Sequence, residues 1–151
     1  ANGFRVFIST TGSIDLVRVL AEDMYGIPAD DVIGSSVVST LREEDGRLVL
    51  RRLATVHGLN DGALKPLAID LHVGRRPILA VGNVNSGGDI HLLRYSQQPG
   101  VPNLQVLIRH DDFEREYAYD EPDGASMKAA NANGWLLVSM RYDWLRIFGA
   151  E

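Results

Sequence analysis

The sequence predicts an α/β domain with a mostly parallel sheet. Two observations point there. Short apolar runs alternate with segments of helical periodicity along nearly the whole chain. The junctions between them are punctuated by glycine and small polar residues, as in "AVGNVNSGGDIHLL" (80–93). A third observation marks an exception. In "SSVVSTLREEDGRLVLRRL" (35–53) two β-rich runs flank Glu44-Asp45-Gly46, a hairpin turn signal with Gly where φ must be positive. That segment reads as a small antiparallel hairpin inserted in the α/β pattern.

Each element has its own signal. "FRVFIS" (4–9) reads as a buried strand. "SIDLVRVLAEDMYG" (13–26) places Ile14, Val17, Leu20, Ala21 and Met24 at helical spacing, with Gly26 as the stop and Pro28 beyond it. "DVIG" (31–34) is a short strand. After the hairpin, "DGALKPLAIDLHVG" (61–74) is helical, and Pro66 must lie in its first turn or kink it. "RPILAVGN" (76–83) is a strand, "DIHLLRYSQ" (89–97) a helix and "LQVLIRH" (104–110) a strand. "ASMKAANANG" (125–134) is a helix ended by Gly134, "WLLVSM" (135–140) a last strand and "YDWLRIFG" (142–149) a short helix. In such folds ligands bind beyond the carboxyl ends of the strands. The loops at 10–13, 82–88 and 110–120, and the one after 140, would therefore share a rim.

Composition sets the bounds. The 151 residues suit one domain, 1–151, able to bury roughly 70% of its unfolded surface. A net charge of −5 disfavours nucleic-acid binding, which needs a basic surface to displace counterions. No apolar run approaches the roughly 20 residues that span a bilayer, so no membrane partner is expected. With no cysteine, disulfides and thiolate chemistry are excluded. The compartment, cytoplasmic or periplasmic, is left open.

Four stretches carry candidate chemistry. The loop from Gly82 to Asp89 is neither a Walker A motif nor a dinucleotide fingerprint. Read plainly, it is a tight turn with Asp89 capping the helix. Read functionally, Asp89 and Asn83 face a cation or phosphate, and oxygen ligands suit Mg²⁺. In "FISTTGSIDLVR" the hydroxyls of Thr10, Thr11 and Ser13 sit between a strand and a helix start, which favours anions. Ordinary capping by Thr11 or Ser13 is the plainer account. Lys65 stands near a helix start, against the helix dipole, as though paired with a phosphate. "RHDDFEREYAYDEPD" (109–123) is rich in carboxylates. A metal site on His110, Asp111 and Asp112 competes there with a solvated acidic loop balanced by Arg109 and Arg115, and the latter is favoured. Trp135 and Trp144 read as packing residues.

Together "FISTTGSIDLVR", "YGIPADDVIGSS", "NDGALKP", "RPILAVGNVNSGGDIHLL", "HDDFEREYAYD" and "GWLLVSMRYDW" resemble the haloacid dehalogenase (HAD) superfamily. The closest likeness is to its phosphoserine-phosphatase-like hydrolases. The resemblance runs over nearly the whole chain and implies a three-layer, Rossmann-like fold with its first strand missing. It implies phosphomonoester hydrolysis with Mg²⁺: Thr10, with Thr11 beside it, binds the phosphoryl group, Lys65 neutralises its charge, and Asp89 with Asn83 forms the metal side. A small phosphorylated molecule is the implied ligand.

The family's first motif, an Asp-x-Asp pair ending the first strand, supplies the nucleophile and should lie upstream of residue 4. No Asp-x-Asp follows an apolar strand in this sequence. Catalytic residues are therefore absent, and the domain reads as truncated or degenerate, with little turnover and weak metal binding. A non-catalytic scaffold binding a phosphorylated ligand or a partner chain is the alternative. The missing strand would leave a slot between 4–9 and 77–82, closed by direct pairing of those two strands or filled by a second copy in a homo-oligomer.

Overall fold

A computed structural model describes residues 3–85 and 87–148. Ser86, within the glycine-rich loop, and Gly149, the last residue of the expected terminal helix, lie outside them. The chain is α/β and divides into two compact units, 1–64 and 65–151. Each has its own three-stranded sheet.

The first unit is built from β1 (Ile8–Ser13), α1 (Ile14–Tyr25), β2 (Val32–Glu44) and β3 (Arg47–Gly58). The apolar spacing read from the sequence places Ile14, Val17 and Ala21 on the inner face of α1, where they pack with Ile8 and Val32. The helix ends at Gly26, as its sequence predicts. β1 begins at Ile8 rather than residue 4, for a definite reason. Its parallel partner starts only at Val32, because residues 29–31 form a 3-10 turn. Upstream of Ile8 the chain is tied by its side chain instead: Arg5 donates to the buried Asp31, Nε at 3.0 Å and Nη2 at 2.5 Å.

The expected strand 31–34 and the first arm of the expected hairpin are one element. β2 runs thirteen residues, pairing first in parallel with β1 and then antiparallel with β3. The turn falls where the sequence put it. Asp45 and Gly46 both have positive φ, 50° and 73°, the combination a type I′ hairpin requires.

The second unit holds α2 (Leu64–Val73), β4 (Leu79–Asn83), α3 (Ile90–Ser96), β5 (Leu104–Arg109), α4 (Ala125–Asn133) and β6 (Leu136–Ser139). All three strands are parallel, in the order β4-β5-β6. One face of the sheet presents Ala80, Gln105 and Leu107, which are buried. Gln105 on that face donates to the Ser96 hydroxyl at the end of α3 (3.1 Å). Trp135 is buried as expected, its indole N–H donating to Gln97 (3.2 Å).

The expected single mostly parallel sheet is thus corrected to one mixed and one parallel sheet. The ladders are β1·β2·β3 and β4·β5·β6, so the anticipated pairing of 4–9 with 77–82 is not among them.

The expected helix at 142–149 is absent among the described residues; 142–148 form turns and bends. The cause is Arg115. Its Nη1 donates to the carbonyls of Trp144 (2.9 Å) and Leu145 (3.3 Å), and its Nη2 to those of Met140 and Arg141 (3.0 Å each). A guanidinium therefore occupies carbonyls that a helix would turn toward its own amides. Arg115 is itself clamped by Asp112, and Asp111 accepts from the Ser139 hydroxyl and the Arg141 N–H.

Burial pushes both carboxyls upward. The hydrogen bonds from Ser139 and Arg141 to Asp111, and from Arg115 and Glu114 to Asp112, outweigh it and hold both below the ordinary range. A carboxyl whose folded pKa is depressed stabilises the fold above its unfolded value, near 3.9, and loses that contribution as pH falls through the folded one. Acidification below about pH 4 should therefore free the segment after β6. Hydrogen-exchange protection of the Arg141, Glu114 and Arg115 amides should fall together as the two carboxyls protonate; protection that survives their protonation would contradict this account.

Candidate functional site

In a parallel sheet every strand delivers its last residue to the same end. In the second unit that end carries Asn83, Arg109 and Ser139, and the loops that leave it contain most of the candidate residues. At its centre is an ion pair: Lys65 Nζ donates to Asp89 Oδ1 at 2.5 Å. Both side chains are largely withdrawn from solvent, with 7% and 14% of their surface exposed. The second carboxylate oxygen, Oδ2, accepts the backbone N–H of Asn83 at 3.0 Å. Asp89 makes no side-chain bond to its own helix, so the capping account does not hold. Its side chain turns back to β4.

The glycine at 82 is what permits that. A Cβ there would lie 2.6 Å from Cβ of Asp89 and 3.0 Å from its Oδ2, closer than side-chain atoms approach. Lys65 occupies the second position of α2, and Pro66 lies in the first turn as expected.

Around this pair stand Tyr119, Glu116 and Glu121, to which sequence reasoning gave no role, and His110, which it weighed only as a metal ligand. The Asn83 side-chain amide donates to the Tyr119 hydroxyl at 2.6 Å. The Tyr119 ring stacks on His110, with centroids 4.6 Å apart and planes 17° apart. His110 Nδ1 lies 2.8 Å from Glu116 Oε2, and Glu116 Oε1 is buried with no partner among the described residues. Glu121 is buried too. It accepts from the Gly87 N–H (3.0 Å), the Ser126 hydroxyl (2.8 Å) and the Ser126 N–H, joining the glycine-rich loop to the start of α4.

The stretch 109–123 is therefore only in part a solvated acidic loop, which corrects the sequence reading: Glu114, Asp120 and Asp123 are exposed. Asp112 and Glu121 are buried and each is satisfied by named donors. Nor do His110, Asp111 and Asp112 converge: their partners are Glu116, Ser139 and Arg115 respectively. What the sequence did show was the balancing role of both arginines, Arg115 against Asp112 and Arg109 against Asp111 and Asp120.

The predicted phosphate-binding hydroxyls belong to the first unit. Thr10 and Thr11 sit where the β1 ladder loses register between Ser9 and Ser13, a bulge of the kind found beside functional sites. Thr10 Oγ1 accepts the Gly12 N–H (3.0 Å), and Thr11 Oγ1 donates to Asp61 (3.1 Å). Neither Thr11 nor Ser13 caps α1. The bulge is held by Asn60, 1% exposed, whose amide donates to the Thr10 carbonyl (2.9 Å) and the Ser9 hydroxyl (3.2 Å). Asn60 precedes the quoted "NDGALKP" pattern's charged residue directly, and an asparagine beside a turn was the available signal.

The structure thus brings together Lys65, Asn83 and Asp89 within the second unit. To a magnesium ion this group offers one carboxylate and one amide oxygen, and the carboxylate already carries an ammonium at 2.5 Å. Among the described residues no three His, Cys, Asp or Glu side chains gather in one place. Magnesium is held by carboxylates together with substrate oxygens. This donor set does not fit a resident ion.

Parallel strands with a buried Lys–Asp pair at their carboxyl ends define an α/β domain with a charge-bearing rim. No family model matches the chain, and no curated protein matches it. No helix among the described residues is long and apolar enough to cross a membrane.

Proposed function

We propose that the chain is a HAD-like, phosphatase-type domain of Rossmann-like lineage that binds a phosphorylated small molecule at the rim formed by Lys65, Asn83 and Asp89. The observation that carries it is the burial of Lys65 against Asp89 at the mouth of β4. An ammonium withdrawn from water is costly unless it is compensated. One carboxylate takes one of its three N–H donors and leaves two. A phosphate oxygen can take those while Asp89 holds the lysine in place. Phosphoryl chemistry asks a protein for positioning and charge neutralisation, and this lysine supplies both.

Turnover needs a nucleophile. Since no Asp-x-Asp follows a strand in these 151 residues, the chain is expected to bind and not to hydrolyse. Isothermal titration of the full chain with inorganic phosphate tests the first part. Lys65→Met should weaken binding at least tenfold, about 1.4 kcal/mol. Affinity equal to that of the parent chain would refute the reading. A 4-nitrophenyl phosphate assay tests the second: turnover abolished by Asp89→Ala would establish the enzymatic alternative instead.

A further inference from the structure

We propose that Tyr119 is an anion-binding group of this site, offering its phenol proton to a phosphate oxygen, and that the His110–Glu116 pair positions it. This rests on the phosphate-binding reading above and deepens it.

Asn83 is the link. Its backbone N–H holds Asp89, the partner of Lys65, and its side-chain amide donates to the Tyr119 hydroxyl. The phenol oxygen and the ion pair are thus bonded to the same residue. With Asn83 as donor, a lone pair of that oxygen is used and its own proton is left over. No acceptor for that proton lies within hydrogen-bond distance among the described residues. Burial, reinforced by the Glu116 and Asp89 carboxylates, outweighs the Asn83 hydrogen bond and pushes the phenol above its usual range. At neutral pH it is therefore a donor and never a competing anion. Lysine gives the site a point charge; a fixed phenol gives it direction, and oxyanion recognition uses both.

The placement of Tyr119 is specified from behind. Its N–H returns to the His110 carbonyl at 3.0 Å, closing the loop 110–119 on itself. Its ring lies flat on the imidazole. The imidazole is braced by Glu116, whose side chain is 8% exposed. A carboxylate buried this deeply and joined to one histidine serves orientation, not solubility. These contacts fix the phenol oxygen relative to β4, which an exposed tyrosine on the loop 110–124 would not achieve.

The test uses the full chain and inorganic phosphate at pH 7. Tyr119→Phe, which keeps the stacked ring, should weaken binding about fivefold, or about 1 kcal/mol, the worth of one hydrogen bond. In the unsubstituted chain labelled with ¹³Cζ-tyrosine, the Tyr119 resonance should shift on saturation with phosphate. Glu116→Gln, which loosens the brace on His110, should shrink that phosphate-induced shift; a glutamate without a positioning role would leave the shift unchanged. If Lys65→Met weakens phosphate binding while Tyr119→Phe and the Tyr119 resonance are indifferent to it, the role of Tyr119 is overturned and the phosphate-binding reading stands. If Lys65→Met is also without effect, or the unsubstituted chain binds no phosphate, both fall. A Glu116→Gln chain with an unchanged phosphate-induced Tyr119 shift removes the positioning role alone.

Discussion

Asp89→Ala is expected to cost about 3 kcal/mol of unfolding free energy, because breaking a buried pair strands the remaining charge. Lys65 has almost no solvent to turn to. The diagnostic comparison is with the double substitution. Lys65→Met together with Asp89→Ala removes the ammonium along with its partner and fills part of the same volume with an apolar chain. It should recover at least half of the loss, in accord with the near-neutrality of replacing whole buried pairs by apolar groups. Urea unfolding of the parent, the two single variants and the double variant gives the coupling directly. Additive losses would show that the two side chains do not depend on one another. The Asn83 N–H adds to the single-variant cost, since it too loses its acceptor.

The second large effect is expected at Glu121. Its carboxylate accepts from Gly87, and from both the hydroxyl and the N–H of Ser126. Ser126 is itself buried, so its freed donors have little access to water. Glu121→Ala should destabilise the chain by about 3 kcal/mol, because a charged acceptor contributes more than a neutral one and leaves unmet donors behind. Glu121→Gln keeps one acceptor oxygen and should cost about 1 kcal/mol. Thermal unfolding ranks the two, and amide exchange at Gly87 locates the damage. Equal losses for alanine and glutamine would mean that size, and not charge, matters at this position.

Much of the fold was legible. The apolar spacing of α1 and its stop at Gly26 are local signals, and they survive in the structure because they depend on no distant partner. The hairpin turn at Asp45-Gly46 is local in the same sense. Boundaries set by partners were not legible. Nothing in "FRVFIS" says that the neighbouring strand begins only at Val32. Nothing in "YDWLRIFG" says that a guanidinium about thirty residues earlier takes its carbonyls. The pattern also could not show that β2 would continue unbroken from a parallel to an antiparallel partner.

The site divides the same way. Lys65, Asn83 and Asp89 were identified from a lysine at a helix start and a glycine-rich loop, and they meet. The residues that surround them were hidden in an acidic stretch whose composition suggested solvation. Tyr119 and Glu121 differ from their exposed neighbours Tyr117 and Asp120 only in where the loop folds back. A run of carboxylates in sequence records charge, but not which of those charges has a buried donor waiting.

Arg115 addresses main-chain oxygens alone when it grips the segment after β6. Peptide oxygens are common to all twenty amino acids. The identities of Met140, Arg141, Trp144 and Leu145 are consequently unconstrained by this contact. Substitutions at those four positions should accumulate freely as far as the clasp is concerned, whereas the single arginine that reads them leaves no room for drift, even to lysine.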